Sequence, residues 1–166
     1  MKRKQKKMIA ILLMMAILFT SIGKTRAEAA NAASKVKNAC SAALKATGNA
    51  KKIKYKSTTP SDFDAISYKY NKKVSAMFFV TSDNTVYNIC VAQGKSANDA
   101  KTLYKAFAQY KENQIHGLYF DTDFSKAEQN VMKNAIYGRK GKFVWYISMS
   151  SKKKNLAGET ALKKKI

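Results

Sequence analysis

Few side chains in this sequence are of the types that do chemistry. The single histidine, His116, follows the longest predicted helix in the loop sequence IHG. Acid–base and nucleophilic catalysis need such a side chain within hydrogen-bond reach of a partner group. The two cysteines, Cys40 and Cys90, are distant from it in sequence, although a fold could bring His116 to either. We favour the interpretation that His116 is a solvated loop residue. The alternative is a cell-envelope enzyme in which the fold brings carboxylates close to His116.

The carboxylates do not form a known metal-binding or acid–base motif. Residues 121–125, DTDFS, resemble the start of a calcium loop, but Lys126 and Met132 stand where the glycine and the glutamate are needed. Asp62 and Asp64 are two residues apart, which on a helix directs them to different sides. We therefore assign no catalytic, metal-binding or cofactor-binding residue, and we predict no cofactor.

The first 29 residues predict a secretory signal peptide. Five of residues 2 to 7 are basic, and an apolar run of twelve residues follows at 8–19. A membrane-spanning helix takes about 20 apolar residues. The short run and the A-x-A pattern at 27–29 therefore favour export with cleavage after Ala29, and an uncleaved N-terminal anchor is the alternative. In an exported chain, Cys40 and Cys90 permit one disulfide, with free buried thiols as an equal alternative.

The charge of the chain is strongly positive. It has 32 basic and 10 acidic residues. Residues 1–29 hold seven of the basic residues and one of the acidic residues, so the rest of the chain has 25 basic and 9 acidic residues and a net charge of +16. Charge of this size predicts attraction to an anionic cell-wall polymer or an anionic membrane surface, whereas export disfavours nucleic acid. Lysine greatly outnumbers arginine, which favours diffuse attraction over specific phosphate recognition. A merely solvated lysine coat is the alternative.

Hydrophobic periodicity predicts an α+β fold. Helices are expected at 33–47, 60–68, 97–113, 126–134 and 152–165, and strands at 74–81, 85–93, 135–137 and 142–149. The strands should form two hairpins of one small antiparallel sheet, with helices packed mainly on one face. Residues 30–58 then form an N-terminal helix and, at 49–58, a Lys-rich linker, and residues 59–166 form the α+β domain.

Several predicted helices begin with a capping signal. A Ser or Thr is followed three residues later by an acid at Thr59–Asp62, Ser96–Asp99 and Ser125–Glu128. In the last helix, four side chains are expected to face inward: Leu156, Ala157, Thr160 and Ala161.

Adjacent aromatic residues conflict with a sheet that is buried on one face. Phe78 and Phe79 point to opposite faces of a strand, and so do Trp145 and Tyr146. In the strand at 85–93, we expect the face that carries Tyr87, Ile89 and Val91 to point toward the core. Either an aromatic platform faces solvent for sugar or peptide stacking, or the helix at 33–47 covers the second face, which is the favoured interpretation.

Two stretches carry a resemblance to a known family. TVYNICVAQGKSANDAKTLYKAFAQYKENQ, from residue 85, is a strand, a turn and a long helix ending in Y-K-x-x-Q. AEQNVMKNAIYGRKGKFVWYISMSSKKK, from residue 127, is a helix, a short strand, a glycine turn and an aromatic strand. Over residues 60–166 the chain resembles domain of unknown function family 4358 (DUF4358), exported bacterial proteins.

The resemblance implies a secreted or lipid-anchored protein of a Gram-positive bacterium, without an assigned activity or catalytic residues to carry over. The lipid-anchor cysteine usual after the apolar run is absent here. We therefore predict an exported, extracytoplasmic, non-catalytic binding protein, secreted or at the cell surface, whose basic surface meets an anionic envelope polymer or a protein partner. The alternatives are a cell-envelope enzyme and a membrane-tethered structural protein with an uncleaved signal.

We expect the exported protein to begin at Ala30, because signal peptidase cleaves after small residues in an A-x-A pattern. Intact-mass spectrometry of the protein recovered outside the cell measures the new N-terminus. A chain found in the cytosol with Met1 still present would contradict export.

Overall fold

A computed structural model describes residues 26–82, 86–117 and 120–166. The chain divides into two compact units, Met1–Asn31 and Ala32–Ile166. Of the first unit only residues 26–31 are described, and they are helical, so most of the predicted signal peptide at 1–29 lies outside the described residues. In the second unit, helix α1 covers residues 32–47.

The second unit is built on five strands. They are β1 Tyr55–Ser57, β2 Val74–Thr81, β3 Asn88–Gly94, β4 Ile136–Lys140 and β5 Phe143–Ser148. The further α-helices are α2 Ser67–Tyr70, α3 Ala97–His116, α4 Phe120–Asp123, α5 Lys126–Lys133 and α6 Lys152–Lys163. The strand order is β1-β2-β3-β5-β4 and every pairing is antiparallel, which confirms the α+β class.

Both predicted hairpins are present, as β2–β3 and β4–β5, and β3 pairs with β5 at the centre of the sheet. The residues between the two predicted strands, 82–84, lie partly outside the described residues. The prediction of a linker at 49–58 is wrong in part, because Tyr55–Ser57 pairs with Phe79–Thr81 as an edge strand. The backbone of β2 supplies the partners for this short strand, and its own residues carry only a weak signal.

One face of the sheet packs against α3. Cys90 and Ala92 of β3 and Tyr146 of β5 are buried there with Leu103 and Phe107 of the helix. Phe63, from the chain segment before α2, lies at the centre of this core. Its ring centroid is 4.9 Å from that of Phe79 and from that of Tyr110, and 5.3 Å from that of Phe107.

The other face of the sheet packs against α1 and α6. Ile89 and Val91 of β3 and Trp145 and Ile147 of β5 are buried there, together with Val36, Ala39, Cys40 and Ala43 of α1 and Leu162 of α6. The distribution of the helices therefore differs from the expectation of packing mainly on one face. The face predicted as core, with Ile89 and Val91, is buried, and the opposite face is buried as well.

Two of the three capping signals are confirmed. The Ser96 hydroxyl accepts a hydrogen bond from the Asp99 amide at 3.0 Å, and Ser125 and Glu128 form a reciprocal capping box. The signal at Thr59 is wrong, because its side chain makes no cap and Pro60–Asp62 forms a single 3-10 turn. The Asp62 carboxylate accepts a hydrogen bond from the Ser57 hydroxyl instead, which connects this turn to the end of β1.

The inward face of α6 differs from the prediction. Its buried residues are Asn155, Gly158 and Leu162, whereas the Leu156 side chain is 44% exposed. The amide group of Asn155 accepts from the backbone N–H groups of Met149 and Ser150 and donates to the Asn134 carbonyl. A buried asparagine and a glycine carry no apolar signal, so the periodicity alone assigned the wrong face.

Gly158 marks the close approach of α6 to α1. A Cβ atom at this position would lie 3.0 Å from Thr47 Cγ2 and 3.3 Å from the Ala43 carbonyl oxygen. Larger side chains here must push the two helices apart.

We expect Gly158→Val to lower the free energy of unfolding by about 1–3 kcal/mol, the usual effect of overpacking. Ala157→Val is the matched control, because Ala157 is the adjacent residue and its side chain is exposed. This substitution should lower the free energy of unfolding only through helix propensity, by about 0.5 kcal/mol. Urea unfolding measures both. Equal effects of the two substitutions would contradict the close packing of α6 on α1.

Candidate functional site

His116 lies at the exposed end of α3. Its Nε2 atom is 3.5 Å from a carboxylate oxygen of Glu112, one turn earlier in the same helix, and the two side chains are 73% and 53% exposed. A pair with this exposure on one helix is well solvated, and neither residue lies on the groove described below. The structure thus gives His116 a carboxylate neighbour without the enclosed surroundings that acid–base catalysis uses.

Residues 121–125, which resemble the start of a calcium loop, form and cap short helices. Residues 120–123 form α4, Ser125 caps α5, and the Thr122 hydroxyl donates to Asp123 at 3.1 Å. In the part of the chain that the structure describes, no three His, Cys, Asp or Glu side chains come together where they could hold a metal ion.

The two cysteines are free and lie in the cores on opposite faces of the sheet. The Cys40 thiol contacts the Ile89 carbonyl oxygen at 3.9 Å, while Cys90 points toward α3. Of the two alternatives left open by the sequence, the structure has free buried thiols. Desolvation by burial raises the pKa of Cys40 to about 12, and it raises the pKa of Cys90 well above 9.0. Neither thiol is therefore a ready nucleophile.

A buried tyrosine pair lies between α3 and the sheet, with Tyr110 on α3 and Tyr146 on β5. The Tyr110 and Tyr146 ring centroids are 5.2 Å apart in an edge-on arrangement. Tyr110 is hydrogen-bonded to Asn88 and Tyr146 to Ser148. Burial raises the pKa of both phenols, and Asp64 adds to the effect at Tyr110. The two hydroxyl groups therefore remain neutral hydrogen-bonding groups near neutral pH and do not act as bases.

The most distinctive concave surface lies beside α1. It consists of two adjoining hollows of about 300 and 560 Å³ that share Ser41 and Leu44. We call them together the lysine-rimmed groove. Its lining also includes Lys37, Lys45, Gly48, Asn49, Ala50, Lys51, Lys52, Lys56, Phe78 and Val80, and none of the described residues that line it carries a carboxylate.

The path of the chain creates this groove. Helix α1 stops at Gly48, whose φ of +75° is the left-handed conformation that suits glycine at a helix end. A 3-10 turn at Ala50–Lys52 then reverses the chain, and β1 runs along the edge of β2. The Asn49 side-chain amide donates to the Met149 carbonyl and anchors the turn. Lysines of α1 and lysines of residues 51–56 thereby line the same groove.

The floor of the groove is apolar. Leu44 and Phe78 are half-buried, and Val80 is buried. Strand β2 pairs with β3 along its other edge. On the edge that faces β1, only Phe79–Thr81 are paired, and no strand among the described residues covers the stretch before Phe79. Phe78 therefore stays partly uncovered beside α1.

The rim of the groove is cationic. All five of its lysines are exposed: Lys37, Lys45, Lys51, Lys52 and Lys56. Among residues 26–82, 86–117 and 120–166, Lys73 and Lys163 are the lysines that form an ion pair with a side-chain carboxylate. Lys52 lies 4.2 Å above the centroid of the Tyr87 ring. Sequence reasoning missed this site because it treated residues 49–58 as a linker; the clustering of lysines at 51–56 was the available signal.

Comparison with known proteins gives no match. No family model, no curated protein and no solved structure matches the chain. Along the described residues, no helix is both long and apolar enough to cross a bilayer. The resemblance to DUF4358 therefore remains a prediction from sequence.

The buried thiols predict a loss of stability in alkali. An unfolded thiol loses its proton near pH 9.0, whereas folded Cys40 keeps its proton to about pH 12. Below pH 9.0 the thiol is protonated in both states and does not change the free energy of unfolding. Between pH 9.0 and about pH 12 the free energy of unfolding falls by about 1.4 kcal/mol per pH unit, because the folded state then binds more protons than the unfolded state. Cys90 acts in the same direction.

Urea unfolding at several pH values between 8 and 11 measures this slope. The double variant Cys40→Ala, Cys90→Ala is the control, and its free energy of unfolding should fall less steeply over the same range. Equal slopes for the variant and the wild-type protein would contradict the contribution of the thiols.

Proposed function

We propose that this is an exported, extracytoplasmic and non-catalytic protein that binds an anionic cell-wall polymer through its basic surface. The observation that carries the proposal is the lysine-rimmed groove, where five exposed lysines line one concavity and no carboxylate of the described residues lines it. The export part of the proposal rests on the N-terminal sequence alone.

Electrostatics support a polyanion as the ligand. Lysines on the two sides of a groove repel one another, and an anion placed between them relieves that repulsion while gaining attraction from each. Because the rim is exposed, salt screens the attraction, with a Debye length of about 10 Å at 0.1 M ionic strength. Lysine, a compact charge on a flexible stem, suits a repetitive polyanion better than one fixed phosphate geometry.

The surroundings of the reactive side chains support a non-catalytic role. His116 pairs with Glu112 on an open helix surface, the two thiols are buried and protonated, and the tyrosine pair is neutral. A cell-envelope enzyme built on His116 is the weaker hypothesis. A tethered structural role depends on residues 1–25, which lie outside the described residues.

Sedimentation with purified Gram-positive cell walls tests the proposal. The wild-type protein should sediment at about 20 mM salt and stay in solution at about 500 mM, since the Debye length falls from about 20 Å to about 4 Å. The absence of sedimentation at low salt would overturn the proposal.

A pair of charge-matched variants tests the position of the site. The groove variant replaces Lys37, Lys45, Lys51, Lys52 and Lys56 with glutamine. The control replaces the same number of exposed lysines elsewhere: Lys69, Lys72, Lys95, Lys101 and Lys105. We expect the groove variant to lose most of its sedimentation and the control to keep most of it. Equal losses would show that total charge, and not the groove, drives binding.

A further inference from the structure

The lysine-rimmed groove has an apolar floor that a hydrophilic polyanion would leave unused. We infer that the groove also binds a single-chain anionic amphiphile, a phosphate or carboxylate head joined to a hydrocarbon tail. The inference rests on the proposed function in one respect, since both need the groove to attract anions. It goes beyond that function by assigning a discrete small-molecule ligand.

The floor provides the site for the tail. Leu44, Phe78 and Val80 lie in one hollow of about 300 Å³, and Leu44 continues into the second hollow of about 560 Å³. These volumes are in the range of small-molecule sites, about 300–1,000 Å³. Lys37 and Lys56 also line the first hollow. The alkyl stem of a lysine can cover apolar surface while its charged head stays in water, so these two residues suit a hydrocarbon tail as well as an anion.

The rim provides the site for the head group. Three lysines, Lys45, Lys51 and Lys52, line the second hollow at the turn after α1. An anionic head placed there lies among cations, while its tail extends over Leu44 toward Phe78. The two parts of the ligand thus match the two hollows of the groove.

Charge decides between this ligand and other occupants of an apolar groove. The N-terminal segment of the chain carries five basic residues among residues 2–7, so the five rim lysines repel it. A second copy of the chain would bring further positive charge, because the whole sequence has a net charge of +22. An anionic ligand with an apolar part is complementary to both the rim and the floor.

Ser41 offers a way to block the groove without changing its charge. This exposed residue of α1 lines both hollows. Ser41→Trp fills the space in which the tail lies and keeps all five lysines. Leu156→Trp is the matched control, because Leu156 is exposed on α6 and does not line the groove.

The experiment is calorimetric titration of the purified protein with dodecyl phosphate below its micelle concentration, at low salt. Dodecanol and inorganic phosphate serve as the tail-only and head-only probes. We expect one dodecyl phosphate per chain, with affinity at least tenfold above that of either partial probe. Ser41→Trp should weaken binding about tenfold or more, which corresponds to about 1.4 kcal/mol, and Leu156→Trp should leave it unchanged.

Two results would overturn the inference: no saturable binding of dodecyl phosphate, or equal binding by Ser41→Trp and the wild-type protein. Circular dichroism of each variant shows that it is folded before titration. Failure here is separable from failure of the proposed function, because Ser41→Trp keeps every lysine and should still sediment with cell walls.

Discussion

The structure depends on burying both faces of its antiparallel sheet. Successive residues of β3 point to opposite sides, so Cys90 and Ala92 pack under α3 while Ile89 and Val91 pack under α1 and α6. Burial of this apolar area is the main source of stability in a domain of this size. The adjacent aromatic residues Trp145 and Tyr146, both 1% exposed, are accommodated for the same reason.

Covering the second face also creates the lysine-rimmed groove. Helix α1 must lie across the sheet to bury Val36, Ala39 and Cys40, and this places its lysine-bearing side beside the edge of β2. The chain then returns along that edge as β1, bringing Lys51, Lys52 and Lys56 to the same place. A requirement of the core thus determines where the charge of this basic chain becomes concentrated.

Several elements were predictable because their signals are local. The hairpins follow from alternating β-branched and aromatic residues, and the starts of α3 and α5 follow from Ser96 and Ser125 with an acid three residues later. The failures involve long-range partners. Strand β1 exists because β2 offers an unpaired edge, and α6 turns Asn155 and Gly158 inward because α1 and the Asn134 carbonyl meet them there.

Composition and periodicity were sufficient for the α+β class, the two hairpins and the strong positive charge, since each is a property of neighbouring residues or of the whole chain. The tertiary structure was needed to bury both sheet faces, to keep Cys40 and Cys90 apart as free thiols, and to gather five lysines around an apolar floor. These features join residues that are distant in sequence, and their contacts form only when the helices settle on the sheet.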